Sequence, residues 1–298
     1  MRLGYNIPSN QGFNNVKDLI ALAVKAEALG FDSVWSSEHL FHSSYIAKRL
    51  GNLPYYEPLT ILTTVAAATS KVRLGTTVLV LPWHDPARLG KTVATLDHLS
   101  DGRVDLGVGV AVTEDEFENL GVDFKTRGRR TNEILGALQA LWTQETPEFA
   151  GEFYKYSGLK FSPKPLQKPY PPILVGGSSP AALRRVVAYG DGWHTLRQSP
   201  NQVAEKLPVL NAAMEVAGRN PSSLQVSINI GIKFVTEATA DPVGDRTLLR
   251  GTPDEIIETI RTYGDAGVEE VVLSFASRDK NEHIETLERI TAEIRPNL

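Results

Sequence analysis

VWSSEHLF, residues 34–41, starts as a β-strand and ends as something else. Val34 and Trp35 are apolar, Ser36, Ser37, Glu38 and His39 follow as an unbroken polar run, and the chain turns apolar again at Leu40. A buried strand has no packing use for a carboxylate beside an imidazole at its end. In a barrel of parallel strands wrapped by helices, the carboxyl ends of the strands are where catalytic groups gather. Whether this stretch is such an end depends on its surroundings.

Around it the pattern alternates. Strand-like RLGYNI (2–7) precedes helix-like VKDLIALAVKAEALG (16–30), whose Leu19, Ala23, Ala26 and Leu29 share a face and whose Gly30 stops it. Strand FDSVWSS (31–37) leads through a loop to helix PLTILTTVAAATS (58–70), then strand VRLGTTVLVL (72–81) and helix PARLGKTVATLDHLS (86–100). Strand RVDLGVGV (103–110) and helix TRGRRTNEILGALQALW (126–142) follow, then strand PPILVGG (171–177), helix SPAALRRVVAYG (179–190) and strand DGWHT (191–195). A helix from about residue 200 to 218, strand LQVSINIGI (224–232), helix PDEIIETIRTYGDAG (253–267), strand VEEVVLSF (268–275) and a last helix from about 281 complete eight βα units.

Runs such as TTVLVL and VVLSF are apolar enough to be buried on both faces. Eight such units in a chain of 298 residues predict a single (β/α)8 TIM barrel spanning residues 1–298. An open doubly wound sheet is the alternative that the alternation leaves. Two segments break the rhythm: residues 146–172, with six prolines and a possible hairpin in EFYKYSGLKF (152–161), and residues 235–252. Loops of that length in a compact barrel tend to be functional.

Composition narrows the partners. The chain is 42% hydrophobic and 22% charged, with a formal net charge of −4, which gives no reason to expect nucleic acid or an anionic membrane. MRLGYNIPSN lacks the apolar run of a secretory leader, and the longest apolar stretch, near VLVLPW, is too short to cross a bilayer. There are no cysteines, so disulfides, thiolate metal sites and cysteine nucleophiles are excluded. A cytoplasmic protein is the expectation.

In the predicted barrel one rim collects Ser36 to His39, then Leu81-Pro82-Trp83-His84, Gly107-Val108-Gly109-Val110, Gly176-Gly177-Ser178-Ser179, and Trp193-His194. Glycines there allow close backbone approach, and the Gly176-Gly177-Ser178 turn before a helix that has Pro180 in its first turn suits a phosphate.

Together GFDSVWSSEH, VRLGTTVLVLP, DPARLGKTVATLDHLSDGRVDLGVGV, ENLGVDFKTRGRRTNE, GEFYKY, PKPLQKPYPPILVGGSSPAALRRVVAYGDGW and GTPDEIIETIRTYGDAGV resemble the bacterial luciferase-like superfamily, specifically its deazaflavin-type oxidoreductases. They run in family order over nearly the whole chain. The resemblance implies a TIM barrel with an insertion near residues 235–252 and a flavin or deazaflavin bound across the carboxyl rim. It also makes a homodimer the expected assembly.

By the same resemblance His39 stands beside the reactive ring of the coenzyme, where a near-neutral imidazole can move a proton during hydride transfer. Thr77-Val78 falls where relatives carry a non-prolyl cis peptide that bulges toward that ring. The coenzyme is then expected to contact Glu38, Thr77, Val78, Gly109, Val110, Gly176, Gly177, Ser178 and Trp193. Adjacent strand residues face opposite ways, so Glu38 has a second reading as a structural carboxylate. Gly177→Val is expected to weaken coenzyme binding while sparing the strand. Val110-Ala111-Val112 departs from relatives that place a polar group after the glycines, and FMN-using luciferases often supply an arginine at the position of Val110. That departure favours coenzyme F-420 over FMN, hence hydride transfer over monooxygenation.

Other readings are weaker. Arg129 and Glu133, four apart, predict a helix salt bridge, with Arg127 and Arg130 in the same network. A metal-dependent barrel hydrolase is disfavoured, because the first strand lacks His-x-His and EHLFH is not the His-Glu-x-x-His zinc pattern. A coenzyme-binding protein without turnover stays open, since fold alone does not confer chemistry.

Overall fold

The structure, a computed structural model, describes residues 1–239 and 243–298. The first half contains β1 (Arg2–Asn6), α1 (Val16–Ala28), β2 (Ser33–Ser36), α2 (Ser44–Leu50), α3 (Pro58–Ala68), β3 (Arg73–Thr76), β4 (Leu79–Val80) and α4 (Pro86–Leu99). Then come β5 (Val104–Gly109), α5 (Glu114–Asn119), α6 (Arg127–Thr143), and the pair β6 (Phe149–Ala150) and β7 (Lys155–Tyr156). The chain continues with β8 (Ile173–Gly176), α7 (Pro180–Tyr189), β9 (Gly192–Leu196), α8 (Pro200–Val216) and β10 (Gln225–Phe234). It finishes with β11 (Leu249–Gly251), α9 (Pro253–Asp265), β12 (Glu270–Ser274) and α10 (Lys280–Arg289).

All strands of the main sheet are parallel. The order β10-β12-β1-β2-β3-β5-β8-β9 closes on itself through a β9–β10 pairing. β4 continues β3 after a break and β11 pairs with the tail of β10, so ten strands make a ring of eight. This is the predicted (β/α)8 barrel.

The helices start where local chemistry says they should. Pro58, Pro86, Pro180, Pro200 and Pro253 each sit in a first turn, where a missing N–H costs nothing. Ser199 with Gln202 and Thr252 with Glu255 form capping boxes. α1 buries Leu19, Leu22, Ala23 and Ala26, and Gly30, at φ +82°, turns the chain out of it. Each fully buried leucine on such a face is worth about 1.5–3 kcal/mol.

Two apolar layers result. The larger lies between barrel and helices, and Leu3, Tyr5 and Ile7 point into it. The smaller fills the barrel itself and consists of Trp35, Leu174 and Val272. Trp35 fits because its neighbours lack side chains. A Cβ on Gly75 would fall 2.2 Å from the indole, and one on Gly4 would fall 2.9 Å from its Nε1. The indole also stacks on the His194 ring, with centroids 4.8 Å apart and planes 5° from parallel.

Several expectations need correction. VRLGTTVLVL is not one strand, because the Thr77–Val78 peptide is cis and divides β3 from β4. The hairpin lies earlier than EFYKYSGLKF: Phe149 pairs with Tyr156 and Ala150 with Lys155. Two short helices, α2 and α5, occupy loops that carry no periodic signal. Arg129 pairs with Glu152 rather than Glu133, whose carboxylate instead accepts the amides of Glu152, Phe153 and Tyr154. Arg127 and Arg130 lie over the Phe124 and Phe153 rings. Part of the insertion at 235–252, residues 240–242, lies outside the described residues.

Candidate active site

The carboxyl rim of the barrel has a polar floor. Asn6 ends β1, Thr77 follows β3, Asn229 lies in β10 and Ser274 ends β12. Asn6 Nδ2 donates to Ser274 Oγ (2.9 Å), Ser274 Oγ to Asn229 Oδ1 (2.7 Å), and Asn229 Nδ2 to Thr77 Oγ1 (2.9 Å). Thr77 Oγ1 is 2.8 Å from His194 Nε2, and His194 Nδ1 is 2.8 Å from Ser227 Oγ. Glycines keep this floor open. A Cβ on Gly109 would fall 2.7 Å from the Val78 side chain, and one on Gly176 would fall 3.1 Å from it.

Burial holds the His194 imidazole neutral, with a pKa lowered from 6.5 to about 4. Below pH 6.5 an unfolded chain takes up a proton that the folded one refuses until about pH 4. Stability present above pH 6.5 is therefore lost as pH falls through that window. For this group the loss between pH 7 and 4.5 is about 2 kcal/mol. His194→Gln should flatten the acid limb by that amount in urea denaturation at the two pH values. An unchanged slope would show that His194 is not the group responsible.

His39 stands at the end of β2 with its side chain 17% exposed. Its Nδ1 lies 2.7 Å from Glu116 Oε2, and the Tyr45 hydroxyl is 3.1 Å from its Nε2. The rings of Tyr45, Tyr55 and Trp83 surround it with centroids at 5.7, 5.5 and 6.0 Å. Glu116 projects from α5, is 1% exposed, and takes four donors. Besides His39 these are the amides of Leu40 (3.1 Å) and Phe41 (3.2 Å) and the Thr113 hydroxyl (2.9 Å). Burial raises the pKa of this carboxyl, but the His39 hydrogen bond and charge and the other donors outweigh it, and the net shift is downward. An ionised Glu116 fixes Nδ1 as the protonated nitrogen of a neutral His39 and supports an imidazolium when Nε2 gains a proton.

Glu38 faces away from His39. It is 3% exposed and accepts the Val80 amide at 2.6 Å, and both its oxygens lie within 3.0 Å of His84 Nε2. Burial opposes a charge on His84, yet the Glu38 hydrogen bond and charge raise its pKa. Glu38 thus takes its structural reading, anchoring the segment that follows the cis peptide.

Around the rim, Gly177 adopts φ +97° and opens α7, with Ser179 capping the Ala182 amide. At that φ a branched side chain strains the turn itself. Gly177→Val therefore does not isolate coenzyme binding from stability. Trp193 is fully buried, and its indole donates to the Gly177 carbonyl at 2.7 Å. The structure thus makes it a brace for this turn with no face free for a ring. Val110 is partly exposed beside Ala111, which has φ +55°. A cleft of about 770 Å³ lies on the same rim, lined by Gln11, Arg49, Ser277, Arg278, Asp279 and Glu282.

The rim thus brings together His39, Thr77, Val78, Gly109 and Gly176, while Glu38 and Trp193 serve behind it. Sequence reading missed Glu116, Tyr45 and the Asn6–Ser274–Asn229–Thr77–His194 chain. Thr113-x-x-Glu116 has the spacing of a capping box, so its carboxylate reads as a helix cap rather than a partner for His39. Among the described residues no group of three His, Asp or Glu side chains converges as a metal ion would need.

A barrel of this form has known counterparts. The model of the luciferase-like monooxygenase family matches residues 1–241, and the chain belongs to that family. An F420-dependent glucose-6-phosphate dehydrogenase of Amycolatopsis mediterranei is 26% identical over an alignment of 322 residues, covering 94% of each protein. An FMNH2-dependent dimethylsulfone monooxygenase of Pseudomonas putida is 30% identical over 239 residues, covering 79% of this chain and 63% of that one. The crystal structure of monooxygenase RslO1 from Streptomyces bottropensis superposes with a TM-score of 0.85 at 24% identity, over 99% of both chains, a likeness of fold. Among the described residues no helix is long and apolar enough to cross a membrane.

Proposed function

We propose that this chain is an oxidoreductase that moves a hydride between coenzyme F-420 and a small organic substrate in the barrel mouth. The observation that carries the reading is His39. Its Nδ1 is committed to an ionised Glu116, and among the described residues its Nε2 meets only the Tyr45 hydroxyl. That leaves one ring nitrogen to exchange a proton with a reactant.

The rim fits a flavin-type coenzyme. Gly109 and Gly176 leave the floor low beside Val78, and the Gly177–Ser179 turn presents the amino end of α7 to a phosphate. When bound, a deazaflavin supplies a two-electron hydride carrier. The chain's own part is proton management. In the direction of alcohol oxidation, His39 Nε2 takes the hydroxyl proton as the carbon gives up its hydride, and Glu116 stabilises the imidazolium. In reduction the same nitrogen returns the proton to the carbonyl oxygen. Leu40, Phe41, Tyr45, Val112 and Leu196 stand exposed where the strands give way to the following loops and short helices, a surface suited to the apolar body of an organic substrate.

Two points favour the deazaflavin over FMN. Val110 offers no guanidinium where FMN users of this fold often place one, and an arginine fork is a strong phosphate ligand. The F420-dependent relative also aligns over nearly all of both chains, whereas the FMNH2-dependent one is covered only in part. FMN-dependent monooxygenation is the second reading, favoured by the higher identity of that relative. Side-by-side titration with F-420, FMN and NADPH is expected to give F-420 the tightest binding. Tight FMN binding without measurable F-420 affinity would move the protein to the monooxygenases. Coenzyme oxidation that depends on added substrate separates an enzyme from a passive coenzyme binder.

A further inference from the structure

Any reactant bound for His39 Nε2 has Tyr45 in its way. Glu116 takes the Nδ1 proton of His39, so Nε2 is an acceptor, and the Tyr45 hydroxyl at 3.1 Å donates to it. Tyr55 and Trp83 pack against the imidazole, and Glu116 holds its opposite edge. Tyr45 is 49% exposed, against 17% for the His39 side chain. A molecule arriving from solvent therefore meets the phenol before the imidazole.

Tyr45 is held there by its own segment. Leu40 and Phe41 donate their amides to Glu116, and the Ser44 amide donates to Asp115 Oδ2 at 2.9 Å. The chain from β2 into α2 is thereby clamped onto α5. Burial and the Glu116 charge outweigh the positive charges of Arg49 and Arg197 at this phenol. Its pKa lies above the usual value, so it keeps its proton at neutral pH. A hydroxyl can donate one proton while it accepts another, so the same oxygen serves a neutral imidazole and an imidazolium.

We propose that Tyr45 is a catalytic residue, the group that touches the reactant and relays its proton to His39. The relay presupposes hydride transfer at this rim. In oxidation the alcohol O–H bond breaks toward the Tyr45 oxygen as the Tyr45 O–H bond breaks toward Nε2. The C–H pair leaves as hydride to the coenzyme, the pair freed from O–H closes the C=O bond, and Glu116 stabilises the imidazolium. Reduction runs the same two proton transfers backwards. Tyr45 ends each turnover as it began, a neutral phenol.

Two variants separate a relay from a cover. Tyr45→Phe keeps the ring and removes the proton, whereas Tyr45→Ala opens the way to Nε2. Without coenzyme, the rate at which diethyl pyrocarbonate modifies His39 is followed by mass spectrometry. That rate should rise in Tyr45→Ala by up to about tenfold, the size of one hydrogen bond's net hold on Nε2. An unchanged rate shows that the hydroxyl does not cover Nε2 in solution and overturns the proposal. Turnover is then measured with F-420 and cyclohexanol, 2-propanol or benzyl alcohol. Tyr45→Phe and Tyr45→Ala should both lose roughly 10², the low end for a positioned acid or base, with F-420 affinity unchanged. Added phenol should restore part of the turnover of Tyr45→Ala and none of that of Tyr45→Phe, whose ring fills the space. Wild-type turnover in either variant means that reactants reach Nε2 directly and overturns the relay. So does a loss in Tyr45→Ala that phenol leaves unrepaired, the mark of a structural role. Wild type that oxidises none of the three alcohols with F-420 defeats hydride transfer and the relay together. The other adverse outcomes leave hydride transfer standing and defeat the relay alone.

Discussion

His39→Ala is expected to lower turnover by roughly 10²–10⁴, the range for loss of a positioned acid or base, while coenzyme affinity changes little. The expectation follows from how the imidazole is held. Glu116 occupies Nδ1 at 2.7 Å, so the ring cannot swing to offer that nitrogen instead, and Nε2 is the one left at the open rim. Glu116→Gln should act more mildly and in a different way. An amide in place of the carboxylate removes the charge that supports an imidazolium, so the pH dependence of turnover should shift even where the maximal rate survives. Wild-type turnover in the alanine variant, against an active reference assay, would remove His39 from the mechanism.

Gly107→Ala is expected to cost about 3 kcal/mol or more, a large share of the stability of an ordinary domain. A Cβ there would sit 1.8 Å from the Thr76 carbonyl oxygen. That oxygen belongs to the backbone, so relief means prising β5 from β3, and the Thr76 hydroxyl already binds the Gly107 carbonyl at 2.7 Å. Gly121→Ala makes the contrast. Gly121 has φ +66° but open space where the methyl would go, so its cost should be only about 1 kcal/mol. Chemical denaturation of the two variants checks both values, and equal costs would show that the clash at Gly107 is relieved locally.

The barrel was legible because its signal is repeated eight times: an apolar strand, a turn, then a helix opened by a capping residue and often a proline. His39 and the rim glycines were legible because a polar or glycine run at a strand end has no packing purpose there. What escaped was pairing across the fold. Glu116 lies 77 positions from His39, and Asn229 lies 152 positions from Thr77. Nothing local distinguishes a helix-start glutamate that caps its own helix from one that reaches another loop. The same limit applies to Glu38 and Trp193, whose residue types suit a coenzyme wall but whose contacts turn them toward Val80, His84 and Gly177. The Arg129–Glu133 spacing was a true local rule, overridden because the hairpin at 149–156 brought Glu152 and three unpaired amides to the same helix.

Trp35, laid across the lumen against His194, also sets the depth of the chamber. With the indole, Leu174 and Val272 filling the lumen, the barrel is closed at that layer and offers no open shaft through its centre. A barrel stoppered in this way cannot thread a long molecule through its centre or enclose one without cover from above. That cover falls to the loops above it, so variety in what this scaffold accepts should be written in those loops, while the stopper beneath stays the same.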